Sequence, residues 1–213
     1  MKLSVKVGAR GSPLSKKQVE EVLLELQKVH PEVTFEPIWI TTTGDADQKT
    51  SLRTMPKNDF FTKEIDEKQM QGDFRISIHS AKDLPEPLRE GLTCVCVTKG
   101  LDPSDSLLIS PTFSGKGKIA TSSIRREMTI RELYPEAEIV DIRGNIHERI
   151  AQLEEGQIEG LVMAECALIR LGLTHSSRIA LPGPYAEGQG QLAVIARSDD
   201  DEMKRLFSCM HSM

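Results

Sequence analysis

Apolar residues recur along the chain with two periods, and the two periods alternate from one end to the other. A period of two predicts strands, for example at residues 3–7, 92–97 and 192–196. A period of three to four predicts the helices between strands, and the first of these begins at Ser12-Pro13, an N-cap followed by proline at the first helical position. Strands that alternate with helices, without an internal repeat, predict an α/β fold with mainly parallel sheets.

Prolines indicate where this chain bends and divides. Pro37 lies inside the strand predicted at residues 33–40 and indicates an edge strand or a bulge, because proline cannot donate a hydrogen bond to a neighbouring strand. The run Asp102-Pro103-Ser104-Asp105 follows the strand at residues 92–97. It predicts a crossover between two domains near residues 97–104.

Composition excludes several classes of function. The 213 residues carry 27 basic and 32 acidic side chains, a net charge of −5, and only 4% aromatic residues. A nucleic-acid-binding domain instead shows a basic surface and, for single strands, stacking rings. No apolar run approaches the length of a membrane span or a signal peptide. We therefore expect a cytoplasmic protein with neither nucleic acid nor membrane as a partner.

The cysteines and histidines do not predict a metal site. Four cysteines in a chain of this length are not a disulfide framework, and the five histidines are scattered without ligand spacing. Cys94 and Cys96 alternate with valines, which predicts that both thiols point to one face of a strand. Core packing is the favoured interpretation of this pair, and a metal pair is the alternative. Cys209 lies in a helical pattern and is interpreted as a helix residue.

Hydroxyl and arginine side chains cluster at three predicted junctions between a strand and a helix. A helix N-terminus offers backbone N–H groups and the positive end of the helix dipole, and arginine forks suit carboxylate or phosphate. The junctions therefore predict binding of a small anion; the alternative is ordinary helix capping with solvated arginines. The residues concerned are Arg10, Ser12, Thr121, Ser122, Ser123, Arg125, Arg126, Arg143 and Arg149.

Two further stretches are candidates for ligand contact. Lys82-Asp83 follows the strand predicted at residues 76–78, and open α/β sheets bind ligands at the carboxyl ends of their strands; solvated surface charge is the alternative. Gln189 lies between two glycines, which allow close approach of the backbone to a ligand. The polar segment at residues 47–59 predicts a mobile loop. The cations of this loop have no assigned role and are Lys49, Arg53 and Lys57.

Five segments of the chain, taken together and in order, resemble one enzyme family. They are R-G-S-P-L-S, I-H-S-A-K-D-L-P, A-T-S-S-I-R-R, R-G-N-I-H-E-R and E-G-Q-G-Q-L-A-V, and they resemble hydroxymethylbilane synthase, also called porphobilinogen deaminase. The resemblance implies two α/β lobes similar to the halves of a type II periplasmic binding protein, with a cleft between them. Domain 1 would comprise residues 1–97 plus 188–213, and domain 2 residues 98–187.

The resemblance also implies an activity. Members of this family join four porphobilinogen units head to tail, with release of ammonia at each step, on a dipyrromethane cofactor bonded to a cysteine in a third, α+β domain. The implied partners are porphobilinogen and oligopyrrole intermediates, and the implied state is a monomer. Asp83 is the implied catalytic carboxylate. The implied substrate- and cofactor-binding residues are Arg10, Ser12, Lys82, Thr121, Ser122, Ser123, Arg125, Arg126, Arg143, Arg149 and Gln189.

Three departures from the family pattern modify this expectation. Ala120 stands where glycine is usual, and Arg75 stands where aspartate is usual. The third domain and its cofactor-anchoring cysteine are expected to be absent, so we expect weak or no turnover by this chain alone. The alternatives are a non-catalytic two-lobed binding module for small polycarboxylates and a shortened synthase retained for another purpose.

Overall fold

The computed structural model describes residues 3–53, 55, 58–174 and 177–212, which form ten strands and seven α-helices. The strands are β1 (Ser4–Arg10), β2 (Thr34–Ile40), β3 (Ile76–Ser80), β4 (Leu92–Val97), β5 (Asp105–Ile109), β6 (Lys118–Ala120), β7 (Glu138–Val140), β8 (Gly160–Ala164), β9 (Arg178–Leu181) and β10 (Leu192–Arg197). The helices are α1 (Pro13–Val29), α2 (Thr43–Ala46), α3 (Lys63–Gln71), α4 (Ile124–Leu133), α5 (Ile146–Glu154), α6 (Glu165–Leu171) and α7 (Asp201–Phe207), and short 3₁₀ helices follow at Ala81–Asp83 and Ser208–Ser212.

The chain divides into two compact units, each built on its own five-stranded sheet. Unit 1 consists of residues 1–46, 57–101 and 187–213, and unit 2 of residues 47–56 and 102–186. Both units combine a sheet with packed helices, which confirms the predicted α/β class.

The sheet of unit 1 has the strand order β2-β1-β3-β10-β4. Strand β1 runs parallel to β2 and β3, whereas β10 runs antiparallel to β3 and β4. Pro37 lies on the edge strand β2, as its sequence predicts. The main core lies on one face of this sheet, where Val7 and Ile78 pack with Leu26 of α1 and Phe207 of α7.

The sheet of unit 2 has the strand order β7-β6-β8-β5-β9. Strand β6 runs parallel to β7 and β8, and β5 runs antiparallel to β8 and β9. Leu108 and Leu161 lie in one core cluster of this unit, and Leu107 and Val162 lie in another. Each sheet is mixed, but four of its five strands run in one direction, which agrees with the predicted mainly parallel arrangement. The one reversed strand is β10 in unit 1 and β5 in unit 2.

The prediction that Cys94 and Cys96 share one face of a strand is wrong. Cys96 packs in the main core of unit 1, whereas Cys94 packs with the cluster that contains Ile195 on the other face of the sheet. The cause is an irregularity in the pairing of β4 with β10: Val194 is opposite Cys96, but the next residue, Ile195, is opposite Cys94. One extra residue on β4 reverses the alternation of side chains.

Arg75, where the family pattern has aspartate, forms structural ion pairs in unit 1. Its guanidinium donates to both carboxylate oxygens of Asp200, at 2.9 and 2.6 Å, and to Glu202 at 2.6 Å. Asp200 also caps α7 by accepting from the N–H of Met203 at 3.1 Å. This departure therefore ties the start of β3 to the first turn of α7.

Gly190 allows two segments of unit 1 to approach closely, and we predict that Gly190→Ala destabilises the protein. Its φ of 92° favours glycine, and a Cβ there would lie 2.4 Å from the carbonyl oxygen of Leu101. Gly72→Ala is the matched control, because Gly72 has a φ of 87° and a Cβ added there would have nothing within 4 Å. The control should lose about 1 kcal/mol of unfolding free energy from backbone strain alone, and Gly190→Ala about 1–3 kcal/mol more. Urea unfolding followed by circular dichroism measures both, and equal losses would contradict the steric argument.

Candidate functional site

A cavity of about 50 Å³ in unit 1 lies where β1 and β3 end and α1 begins. Ser12 starts the helix here: its hydroxyl accepts from the N–H of Ser15 at 3.3 Å, and Pro13 occupies the first helical position. Three of the predicted site residues line this cavity, so the structure brings them together. The lining residues are Arg10, Ser12, Leu14, Ser15, Gln18, Phe61, Thr62, Ile78, His79, Ser80 and Asp83.

Arg10 is oriented by a carboxylate that the sequence pattern did not single out. Its Nε lies 3.1 and 3.2 Å from the two carboxylate oxygens of Asp45, and its guanidinium carbon lies 4.4 Å from the centre of the Phe61 ring. Thr42 also donates to Asp45, from its hydroxyl at 2.9 Å and its N–H at 3.2 Å. Burial raises the pKa of Asp45, but the bonds from Arg10 and Thr42 outweigh it and leave the pKa below the ordinary value. The ionised carboxylate fixes the arginine.

Lys82 and Gln189, both predicted site residues, are in direct contact. The Lys82 ammonium donates to the side-chain oxygen of Gln189 at 3.1 Å. Gln189 is buried in the turn before β10, and the adjacent Gly188 passes close to Ala81, where a Cβ would lie 3.2 Å away. Asp83 follows in the 3₁₀ turn and is exposed at the cavity.

His79 is a cavity residue that sequence reasoning did not single out, although it lies inside one of the family segments. Its side chain is buried, and its Nε2 lies 3.0 Å from the Ser77 hydroxyl. Burial, with a smaller contribution from the charge of Arg10, lowers its pKa to about 4. His79 is therefore neutral near pH 7.

In unit 2, the two adjacent arginines of α4 converge on one buried carboxylate. Asp105 is 2% exposed and accepts from Arg125 Nη2 at 2.7 Å and from Arg126 Nε and Nη2 at 3.0 and 2.6 Å. Arg125 also donates to the carbonyl of Pro184 at 2.8 Å. Asp105 directly precedes the apolar residues of β5, and this position is the sequence feature that could have identified it. Its neighbours Asp102, Pro103 and Ser104 indicate only a break between domains.

The hydroxyl run before α4 does not form an ordinary helix cap. Ser123 occupies the N-cap position without a side-chain capping bond, and its N–H donates to the Thr121 hydroxyl at 3.2 Å. The Ser122 hydroxyl instead accepts from Arg149 Nη1 at 3.3 Å. The structure thus joins two of the predicted anion-binding junctions within unit 2.

The third junction, before α5, contains a side-chain helix cap. Asn145 and Glu148 form a reciprocal capping box. Arg149 donates from Nε to the Gly144 carbonyl at 2.8 Å, and Arg143 donates to the carbonyl of Asp47. These contacts hold both guanidiniums against backbone carbonyl oxygens.

The segment of residues 47–53 belongs to unit 2. Arg53 pairs there with the nearly buried carboxylate of Glu127, which also accepts from Arg131 at 2.8 Å. Lys49 is exposed, and Lys57 lies outside the described residues. Arg53 therefore holds this segment against α4.

Two properties of the described residues concern metals and membranes. Within the part of the chain that the structure describes, no group of three or more His, Cys, Asp or Glu side chains is arranged to hold a metal ion. No helix in that same part is long and apolar enough to span a bilayer.

Comparison with known proteins identifies the family. The family model described as "Porphobilinogen deaminase, dipyromethane cofactor binding domain" matches residues 5–205. The chain belongs to the porphobilinogen deaminase family. It is 35% identical to a probable porphobilinogen deaminase of Chlamydia pneumoniae, over 99% of this chain and 91% of that protein. It is 34% identical to the porphobilinogen deaminase of Fusobacterium nucleatum, over 100% of this chain and 74% of that protein.

Solved structures confirm the type II periplasmic-binding-protein-like fold of this porphobilinogen deaminase family member. An ancestral cationic amino acid solute-binding protein superposes with a TM-score of 0.60 at 12% identity, covering 98% of this chain and 88% of that chain. A probable amino-acid transporter binding protein from Bacillus subtilis superposes with a TM-score of 0.58 at 13% identity, covering 99% and 91%. At this identity the likeness concerns the fold alone.

We predict that Asp105→Asn destabilises unit 2, because it removes the negative charge on which Arg125 and Arg126 converge. Breaking a buried ion pair costs about 3–5 kcal/mol, and the partial exposure of both arginines brings the expected loss to the lower end of that range. Glu136→Gln is the matched control, since Glu136 forms an exposed pair with Lys116 that should contribute less than about 1 kcal/mol. Thermal and urea unfolding measure the difference; the two variants unfolding at the same midpoint would exclude this role for Asp105.

Proposed function

We propose that this protein is a hydroxymethylbilane synthase, a transferase that joins porphobilinogen units head to tail with release of ammonia. The observation that carries the proposal is the exposed carboxylate of Asp83 at the cavity of unit 1, in a chain that belongs to the porphobilinogen deaminase family. A module that only bound polycarboxylates would have no use for a carboxylate at that place, because like charges repel.

The arginines supply the means to hold the acetate and propionate arms of porphobilinogen. In unit 2, one Asp105 carboxylate faces the two guanidiniums of Arg125 and Arg126, so these three groups together retain a positive charge. Arginine forks bind carboxylates in two-bond geometry. We assign carboxylate binding in unit 2 to Thr121, Ser122, Ser123, Arg125, Arg126, Arg143 and Arg149, and in unit 1 to Arg10, Ser12, Lys82 and Gln189.

Asp83 supplies the electrostatic part of the reaction. Loss of ammonia from porphobilinogen leaves a cationic pyrrole-derived electrophile, and a fixed carboxylate beside it lowers the barrier by opposing the developing positive charge. The same carboxylate accepts hydrogen bonds from pyrrole N–H groups and can assist proton transfer. Its backbone lies in the 3₁₀ turn directly after the buried strand β3, which gives it a fixed position.

The residues present fit the dipyrromethane cofactor in their chemistry. Dipyrromethane carries carboxylate arms and pyrrole N–H groups, and the chain offers arginines for the former and the exposed Asp83 for the latter. When bound, it supplies the primer to which new units are joined. The thiols do not favour covalent attachment: burial raises the pKa of Cys96 to about 11 and raises that of Cys94, Cys166 is buried, and Cys209 packs against the core of unit 1.

Three further predictions are parts of the same proposal: domains at residues 1–97 plus 188–213 and 98–187, a monomeric state and a cytoplasmic location. The division of the chain into units after residues 101 and 186 supports the first of these. The net charge of −5 is consistent with a soluble protein that does not bind nucleic acid.

We predict that Asp83→Asn lowers the rate of ammonia release from porphobilinogen by about 100-fold or more, the usual effect of removing one charge-stabilising group. Porphobilinogen binding, measured by calorimetry, should change much less, because the arginines remain. Glu90→Gln is the matched control, since Glu90 is an exposed carboxylate of the same unit outside the cavity. Binding without any ammonia release in the unaltered protein would favour the non-catalytic binding module, whereas an unchanged rate in Asp83→Asn would contradict the role of Asp83.

A further inference from the structure

A chain of buried polar side chains runs from α3 to the cavity of unit 1. Gln69, which is 0% exposed, donates from Nε2 to the backbone carbonyls of Arg75 at 3.0 Å and Ile195 at 2.9 Å. Its Oε1 lies 2.8 Å from the hydroxyl of Ser77, which is also 0% exposed. The Ser77 hydroxyl in turn lies 3.0 Å from Nε2 of His79, which lines the cavity.

The protons of this chain can be assigned from hydrogen-bond chemistry. The Gln69 amide nitrogen must face the two backbone carbonyls, because an oxygen there would meet only acceptors. Oε1 therefore accepts the single proton of the Ser77 hydroxyl. That hydroxyl can then only accept from His79, so the proton of the imidazole lies on Nε2.

This assignment leaves Nδ1 of His79 as a bare lone pair. Among the residues that the structure describes, the side chain of His79 has its one hydrogen bond through Nε2. Burial keeps the ring neutral near pH 7, since it lowers the pKa to about 4. Because His79 lines the cavity, the cavity wall includes, besides the carboxylate of Asp83, a buried ring that carries a neutral acceptor nitrogen.

We propose that His79 is a second hydrogen-bond acceptor of this site, that its Nδ1 binds the pyrrole N–H of porphobilinogen, and that Ser77 and Gln69 are positioning residues that fix its tautomer. The inference rests on the proposed function and deepens it. A pyrrole N–H becomes a stronger donor as ammonia leaves and the ring becomes cationic, so this bond strengthens toward the transition state.

The tautomer can be tested without any activity. In protein with ¹⁵N-labelled histidine rings at pH 7, the resonances lost in His79→Asn identify His79 among the five histidines. We expect its Nε2 to be protonated and its Nδ1 unprotonated, and we expect Ser77→Ala to abolish this preference. A protonated Nδ1 in the unaltered protein would overturn the proposal.

The ligand contact is tested by adding porphobilinogen to the labelled Asp83→Asn protein, in which turnover is expected to be about 100-fold slower or more. We expect the Nδ1 resonance to move toward the position of a hydrogen-bonded nitrogen. Binding detected by calorimetry with an unmoved Nδ1 resonance would refute the role of His79 while leaving the proposed function intact. Absence of both binding and ammonia release in the unaltered protein would refute the proposed function itself.

Two substitutions of His79 distinguish the roles of Nδ1 and Nε2 in kinetic measurements. The amide oxygen of His79→Asn can replace Nδ1 as an acceptor, whereas the amide of His79→Gln reaches the place of Nε2. We expect kcat/KM to fall about tenfold or more in His79→Gln, the value of about one hydrogen bond to a charged group, and distinctly less in His79→Asn. Thermal unfolding checks that both variants fold; the reverse order of kcat/KM in folded variants would contradict the proposal.

Discussion

Pairing of arginine with a carboxylate of the same unit is the interaction on which the candidate site depends. A solvated arginine samples many rotamers, and fixing it for ligand binding costs conformational entropy. Asp45 fixes Arg10 and Asp105 fixes Arg125 and Arg126, so much of that cost is met on folding. The two cases differ in charge: Arg10 and Asp45 form a neutral pair, whereas two guanidiniums on one Asp105 remain net positive. This difference supports the proposal that the cluster of unit 2 binds the carboxylates of the ligand through its charge, whereas Arg10 would contribute a fixed geometry.

The antiparallel strand within each sheet explains how these partners meet. Because β5 runs against β8, its first residue, Asp105, lies opposite Ala164, the last residue of β8. Strand β6 ends at the edge of the sheet where β8 ends, and the chain continues from there into α4. In unit 1, β10 begins with Leu192 opposite Ser80 at the end of β3, so the turn that carries Gln189 lies beside Lys82. A wholly parallel sheet would place the segments before these strands at the opposite edge.

Local chemistry could be predicted from the sequence, whereas partners distant along the chain could not. The cap at Ser12 and the edge position of Pro37 each depend on a few neighbouring residues, and the structure agrees with both. The pairing of Arg126 with Asp105 depends on strand direction, which periodicity does not specify. The opposite faces of Cys94 and Cys96 depend on one extra residue in a strand, which alternation of apolar residues cannot reveal.

Asp83 and His79 show two physical solutions to accepting a hydrogen bond in one cavity. An exposed carboxylate keeps its charge in water and can oppose a cation, but it also repels the carboxylate arms of an acidic ligand. A buried neutral imidazole lacks that repulsion, and it avoids the large cost of burying a second charge. It needs a fixed tautomer instead, which the chain from Gln69 through Ser77 supplies with uncharged groups. A polycarboxylate with N–H donors is the kind of ligand for which this combination discriminates best.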